Sequence, residues 1–397
     1  MQYPFRRQPL KAAYLTYQVL TTLLLRIPLW VLLAIPRPLR PRASWSVKRT
    51  VFVNFVRHFL NISARSGPVI ILPNHLAITP GENVNGVWLD PAPQLVTGKL
   101  QTWMHATSVT PSRIPGYWIH RKGSTIEVAA APKPGEKVLY NLHGGAYIRL
   151  SAHPSDVTAN IPRGIVEHVA SIQRAFSLEY RLSSHKPFTV AHPFPAALLD
   201  ALAGYSYLIN VVGFAPADII LAGDSAGGNL AHALTRYLVE HQASDNSIPA
   251  LPGGLILLSP WCDLSPSHEG PGSSSVQFIS SDYIHPTEGG GDYAKEAFLG
   301  PLGLGAAGRN PYISPASKDP SMQIDFKGFP RTFIVAGGAE VLYDQIVTLK
   351  DRMAKDLGDQ LTYYEAKDGI HDYLVFRWHE PERTDTMKAI AKWVDTL

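Results

Sequence analysis

The sequence predicts an α/β fold with a mostly parallel central sheet, flanking helices and a helical cap. Three observations predict it. Short apolar runs at Lys137–Leu142, Asp218–Ala222 and Thr332–Ala336 read as strands buried in a sheet. One of them, Asp218–Ala222, turns within a few residues into the helical stretch Gly228–Leu234. The chain has 397 residues, of which 45% are hydrophobic and 17% charged, enough for one large α/β domain with additions.

Taken from the N-terminus, residues 12–35 are largely apolar, interrupted by Gln18, Arg26 and Pro28. About 20 such residues span a bilayer. Three readings stand side by side: a membrane anchor, spanning or lying in the interface; a helix that packs as a cap; and a cleaved signal peptide, for which no small-residue cleavage site directly follows the run. Arg6, Arg7 and Lys11 precede the run and Arg37, Arg40 and Arg42 follow it, so flanking charge selects no orientation. Val51–Leu60 has apolar residues at helical spacing and reads as a cap helix. Val69–Pro73 reads as a strand or cap segment, and Gln101–Val109 and Tyr117–His120 as early strands. Leu361–Ala366 alternates and reads as the last strand, ahead of a C-terminal helix. The Gly- and Ser-rich stretch Glu269–Gly291 and the Pro- and Gly-punctuated stretch Leu299–Ala316 read as loops or an insertion over the C-terminal half. The expected division is an anchor or cap helix over 1–42, a cap and early-strand region over 43–125, and a core over 126–397 with an insertion at about 265–325.

Chemistry concentrates at two motifs. Gly223-Asp224-Ser225-Ala226-Gly227 fits G-x-S-x-G at the strand-to-helix turn. Such a turn strains the backbone at the serine, exposes its hydroxyl, and needs glycine on either side because side chains there would collide with the neighbouring strand and helix. Ser225 is therefore the candidate nucleophile. Upstream, Lys137–Leu142 runs into His143-Gly144-Gly145-Ala146-Tyr147. Consecutive glycines let backbone N–H groups approach a substrate closely. Gly144, Gly145 and Ala226 are the candidate amide donors to a developing oxyanion. His143 reads as a residue that orients this loop, and Asp224 as an acid tying the turn to nearby loops.

These motifs resemble the hormone-sensitive-lipase-like branch of the α/β-hydrolases, which carries an HGG loop upstream of a GDSAGG turn. Tyr180-Arg181-Leu182 with His192-Pro193-Phe194-Pro195-Ala196-Ala197, and Leu258-Ser259-Pro260-Trp261-Cys262-Asp263, are similar to further segments of that branch. In organisation, with an apolar N-terminus, the chain is similar to fungal steryl acetyl hydrolases. The resemblance implies an α/β-hydrolase fold over about residues 126–397 and a nucleophile, acid and base in that order along the chain. Thr332–Ala336 ends in Gly337-Gly338-Ala339-Glu340, so Glu340 stands where the family usually has Asp; Asp344 is the alternative acid. Gly369-Ile370-His371-Asp372 follows the last strand, which singles out His371 as the base from 15 histidines. The family usually has Gly after this histidine, and here Asp372 stands.

The expectation is a serine carboxylic-ester hydrolase working through an acyl-enzyme on a small hydrophobic ester, such as a short-acyl ester of a lipid, sterol or secondary metabolite. The alternative is a lyase, cyclase or transacylase using the same residues. A receptor that has lost its triad is disfavoured, since Ser225, Glu340 and His371 are all present. No cofactor is expected. The histidines are scattered, no CxxC or HExxH pattern occurs, and the chain has one cysteine, Cys262, so no intramolecular disulfide can form. There is no phosphate-binding Gly-rich loop followed by Lys. A net charge of +4, much of it near the N-terminus, gives no reason to expect a nucleic-acid partner. The expected location is a membrane, such as the endoplasmic reticulum, with the cytoplasm as the alternative.

Overall fold

In the computed structural model, which describes residues 3–285 and 291–397, the N-terminal apolar run forms α1 (Leu10–Thr21), a widened π turn (Thr22–Arg26) and α2 (Ile27–Ala34). Together they make one helix of 25 residues. The wide turn ends just before Pro28, whose ring and missing N–H disturb the ladder of hydrogen bonds. The chain then reverses into α3 (Val47–Ser66), which Ser46 caps by accepting a hydrogen bond from the Arg49 N–H at 3.1 Å, and which Gly67 ends with a φ of 73°. α3 contains the expected cap helix at 51–60. Val69–Pro73 lies in neither helix nor strand.

After β1 (Asn85–Leu89) comes α4 (Gly98–Ala106). This corrects the expected strand at 101–109. Leu100, Trp103 and Met104 fall at helical spacing and turn one face to the core, and Lys99, Leu100, Gln101 and Met104 are strong helix formers. β2 (Ile114–His120) contains the expected strand at 117–120. β3 (Lys137–Leu142), α5 (Asn160–His168), β4 (Ile172–Leu178), α6 (Ala196–Tyr207), β5 (Ile219–Asp224), α7 (Ala226–Gln242) and β6 (Gly254–Leu258) follow. The segment at 269–291 contributes the short α8 (Ser274–Gln277) and leads to α9 (Gly291–Leu299); positions 286–290 of that stretch lie outside the described residues. β7 (Thr332–Gly337), α10 (Tyr343–Leu357), β8 (Leu361–Ala366) and α11 (Glu382–Val394) complete the chain.

The eight strands form one sheet in the order β1-β2-β4-β3-β5-β6-β7-β8. β1 with β2 and β2 with β4 are antiparallel, and every other pair is parallel. β5, β6 and β7, in the middle of the parallel part, are buried along their whole length and almost wholly apolar, because helices cover both faces of the sheet there. Alternate residues feed two cores. Leu221, Leu255, Leu257 and Ile334 belong to the larger one, under α6, α7 and α10. Ile220, Ala222, Ile256 and Phe333 belong to the other, under α5 and α11. α3 is tied to this second side: the Arg49 guanidinium makes two hydrogen bonds to the Glu382 carboxylate, at 2.8 and 2.7 Å. In parallel sheets of this kind functional groups gather beyond the carboxyl ends of the strands, and four such ends, those of β3, β5, β7 and β8, lead directly into the motifs described above.

Candidate active site

Ser225 follows β5 immediately and has φ 51° and ψ −116°, a conformation that L-residues rarely adopt. It holds there because the neighbouring backbone over-determines it. The Ser225 N–H donates to the Leu258 carbonyl at 2.9 Å, and the Ser225 carbonyl accepts from the N–H groups of Trp261 (2.9 Å) and Asn229 (3.1 Å). The flanking glycines are required by close approach. A Cβ on Gly223 would lie 2.1 Å from the Gly227 carbonyl oxygen, and one on Gly227 would lie 2.0 Å from that of Leu142.

His371 follows β8 and is buried. Its Nε2 lies 3.0 Å from Ser225 Oγ and its Nδ1 lies 2.8 Å from Glu340 Oε2. The other Glu340 oxygen accepts from the Gly337 N–H (2.6 Å) and the Ser259 hydroxyl (3.1 Å), so this carboxylate is held on both sides. Asp344 is engaged elsewhere: it accepts from the Ser274 N–H at 2.8 Å in the first turn of α8. Burial raises the Glu340 carboxyl to about 7, against the lowering effect of its hydrogen bond with His371. Burial alone would lower the His371 imidazole. The charges of Asp372 and Glu340 outweigh it and hold the ring well above the ordinary histidine range.

The loop after β3 departs in one respect from the expected donor set. The Gly144 N–H donates to Asp224 Oδ2 at 3.0 Å, and its single proton is therefore engaged by that carboxyl group. Gly144 must be glycine for another reason, since a Cβ would meet Asp224 Oδ2 at 2.4 Å. The next three residues all have positive φ: Gly145 (115°), Ala146 (54°) and Tyr147 (61°). Such a run turns successive N–H groups toward one side. The N–H groups of Gly145, Ala146 and Ala226 have no hydrogen-bond acceptor among the described residues. His143 is fully buried, stacks on Tyr180 with ring centroids 4.3 Å apart, and contacts the Gly144 carbonyl through Nδ1 at 2.7 Å. Burial lowers its imidazole to about 4, so it stands neutral as a support of the loop.

These groups open into a cavity of about 310 Å³, near the lower end of the range for small-molecule sites. Its wall includes Ser225, His371, Gly145 and Ala146, the side chains of Trp261, Leu342 and Phe376, and Val56, Phe59 and Leu60 of α3. The helix expected at 51–60 as a cap also supplies wall residues, since Val56 and Phe59 line the cavity. Their i, i+3 spacing with Leu60 at i+4 was the available signal. Asp282, from the connection after α8, accepts a hydrogen bond from the His371 N–H at 3.2 Å, and no local pattern pointed to it.

A family model described as alpha/beta hydrolase fold matches residues 139–375. The chain is 30% identical over 266 residues to an acetyl-hydrolase of Streptomyces hygroscopicus, covering 66% of this chain and 75% of that protein. It is 25% identical over 293 residues to an esterase of Acinetobacter venetianus, covering 73% and 82%. Among solved structures it is similar to a hormone-sensitive lipase from a metagenome library, with a TM-score of 0.52 and 27% identity over 71% of this chain and 82% of that one. The chain thus belongs to the α/β-hydrolase family, in its hormone-sensitive-lipase-like branch, and is a serine carboxylic-ester hydrolase.

Proposed function

We propose that Ser225 is the nucleophile, His371 the general base and Glu340 the residue that orients and charges the imidazole, in hydrolysis of small hydrophobic esters. The observation that carries this reading is the continuous contact from Ser225 Oγ through His371 to Glu340, at 3.0 and 2.8 Å. His371 takes the Oγ proton as the serine attacks the ester carbonyl, then gives it to the departing alcohol. Water repeats the cycle on the acyl-enzyme. The N–H groups of Gly145 and Ala226 receive the oxyanion, with that of Ala146 taking the place expected of Gly144.

The cavity supports a substrate class of small hydrophobic esters. A volume of about 310 Å³ suits a short acyl chain, and the apolar α3 wall suits a hydrophobic alcohol. The acetyl-hydrolase relative supports the short acyl group, and sterol or terpenoid acetates are candidate substrates. The test is a series of nitrophenyl esters of rising chain length, with steryl acetates, on the wild type and Ser225→Ala. The expected outcome is turnover of short-acyl esters, declining as the acyl chain lengthens, and a loss of ~10⁴-fold or more in the variant. Activity retained by Ser225→Ala would overturn the assignment of the nucleophile.

We also infer that the unit at residues 1–42 attaches the enzyme to a membrane. The helix Leu10–Ala34 turns two polar residues inward: Gln18 and Thr22 are 7% and 5% exposed, whereas Leu23, Leu24 and Leu25 are 59%, 69% and 64% exposed. A helix on a water-facing surface has the opposite arrangement. The Thr22 hydroxyl meets His58 Nε2 of α3 at 3.0 Å, so the inward face is bound through polar contacts and the outward face is suited to lipid.

A further inference from the structure

The base has a second carboxylate beside it. Asp372 Oδ2 lies 3.1 Å from His371 Nε2, the same nitrogen that faces Ser225 Oγ at 3.0 Å. Asp372 adopts a left-handed backbone conformation, φ 45° and ψ 38°. It is buried and lines the cavity. Its Oδ1 has no hydrogen-bond partner among the described residues. Glu340 already holds Nδ1, so the imidazole stands between two carboxylates, one on each nitrogen.

This arrangement sets two partners in competition for one nitrogen. To act as base, Nε2 must offer a lone pair to the Ser225 O–H. A carboxylate 3.1 Å away favours the opposite state, in which Nε2 carries a proton and donates it to Asp372. Resting on the reading of His371 as the general base, we propose that Asp372 is a positioning residue that keeps the Nε2 proton on His371 in the resting enzyme, so that this proton must leave before Ser225 can be activated. The proton passes to hydroxide or a buffer base, leaving a neutral imidazole with its remaining proton on Nδ1. The Oγ–H bond then breaks toward Nε2 as Oγ bonds to the carbonyl carbon. The imidazolium formed at that point regains Asp372 as its partner, which stabilises the charged stage of the reaction.

Other titratable groups face His371 as well. From the turn after β5 comes Asp224; from the connection after α8 come Asp282 and the Tyr283 phenol, whose ring lies 6.0 Å from the imidazole. Arg57 of α3 is directed at the Asp282 backbone carbonyl, 2.8 Å from its Nε, and Arg149 lines the cavity. Among the side chains hydrogen-bonded or ion-paired to Nε2, Asp372 is the acid, which makes it the group whose removal changes that nitrogen most directly.

The test uses Asp372→Asn and Asp372→Gly in the full chain. Both residues tolerate the left-handed backbone, so folding is preserved by at least one route and is checked by thermal melting. The pH profile of kcat/KM on a short-chain nitrophenyl ester is measured for each. Wild type is expected to gain activity only as pH rises through a raised histidine midpoint. Both variants are expected to show this limb about one to two pH units lower, a gain of about tenfold or more at a pH well below the wild-type midpoint. The second readout is the ring resonance of His371, assigned by its loss in His371→Gln and titrated in a Ser225→Ala background with and without Asp372→Asn. The same downward shift is expected there. Unshifted rate profiles and an unshifted resonance overturn the proposal. A shifted resonance in a protein whose Ser225→Ala form retains activity overturns the hydrolytic assignment alone.

Discussion

Ser225 occupies the strained backbone position of the site. A non-glycine residue at φ 51° costs about 1–3 kcal/mol, and the structure sustains it with the hydrogen bonds of Leu258, Trp261 and Asn229 described above. Glu340 in place of the family's usual Asp adds one methylene, and its second oxygen is secured by Gly337 and Ser259. Glu340→Gln keeps that shape but removes the charge facing Nδ1. The expected outcome is a kcat lower by about 10²–10⁴-fold with KM changed far less, measured by steady-state kinetics on a nitrophenyl ester. A loss of under threefold would separate Glu340 from the chemistry. The glycine-flanked serine, the HGG loop and the post-strand histidine were legible because each motif encodes its own backbone geometry. Asp224 reads from sequence as tying the turn to nearby loops, and it does hold the loop after β3; that its partner is the Gly144 N–H was not legible, since the two are 80 residues apart in the chain. Asp282 and His371 are 89 apart, and only the assembled sheet brings them together.

At the scale of elements, β5 and β7 could be read because both faces are buried and their residues are almost wholly apolar, whereas β4, which carries Gln173, Arg174 and Ser177, gave no such run. α4 was misread as a strand because Trp, Val and Thr at 102–109 favour strands, while the core-facing period of Leu100, Trp103 and Met104 decides the outcome. The pairing of α3 with α11 had no local signal at all. Arg49 and Glu382 are 333 residues apart and form a two-pronged ion pair. Burial pushes the Glu382 carboxyl upward, but the His379 and Arg49 donors prevail and hold it at about 2. A depressed carboxyl contributes stability that is present above its unfolded value, near 4.5, and is lost as pH falls through about 2. Glu382→Gln is therefore expected to destabilise the fold by about 1–3 kcal/mol near neutral pH. In chemical denaturation the gap between variant and wild type should narrow as pH drops below about 4.5. A gap independent of pH would exclude the ionic contribution.

For the whole molecule, the exposed leucines of α1 and α2 set the N-terminal segment apart from the rest of the surface. The fold class and the order of site residues were visible in composition and motif, whereas the fate of residues 12–35 was left between three readings. The inversion of the helix, with Gln18 and Thr22 turned inward, emerges only once its neighbour α3 is known. The full chain is expected to float with liposomes in a density gradient. A variant with Leu20, Leu24 and Leu32 changed to Gln should remain at the bottom while keeping its turnover of soluble nitrophenyl esters. Equal flotation of the two would count against attachment through this helix.

α3 carries a consequence for kinetics. Val56, Phe59 and Leu60 wall the catalytic cavity, and His58 of the same helix holds Thr22 of the N-terminal segment. If that segment rests in lipid, as proposed above, the cavity wall formed by α3 would be held close to the bilayer. A sterol-like ester would then be met by lateral diffusion, and its rate would follow the mole fraction of ester among the lipids and be insensitive to the bulk volume in which the vesicles are suspended.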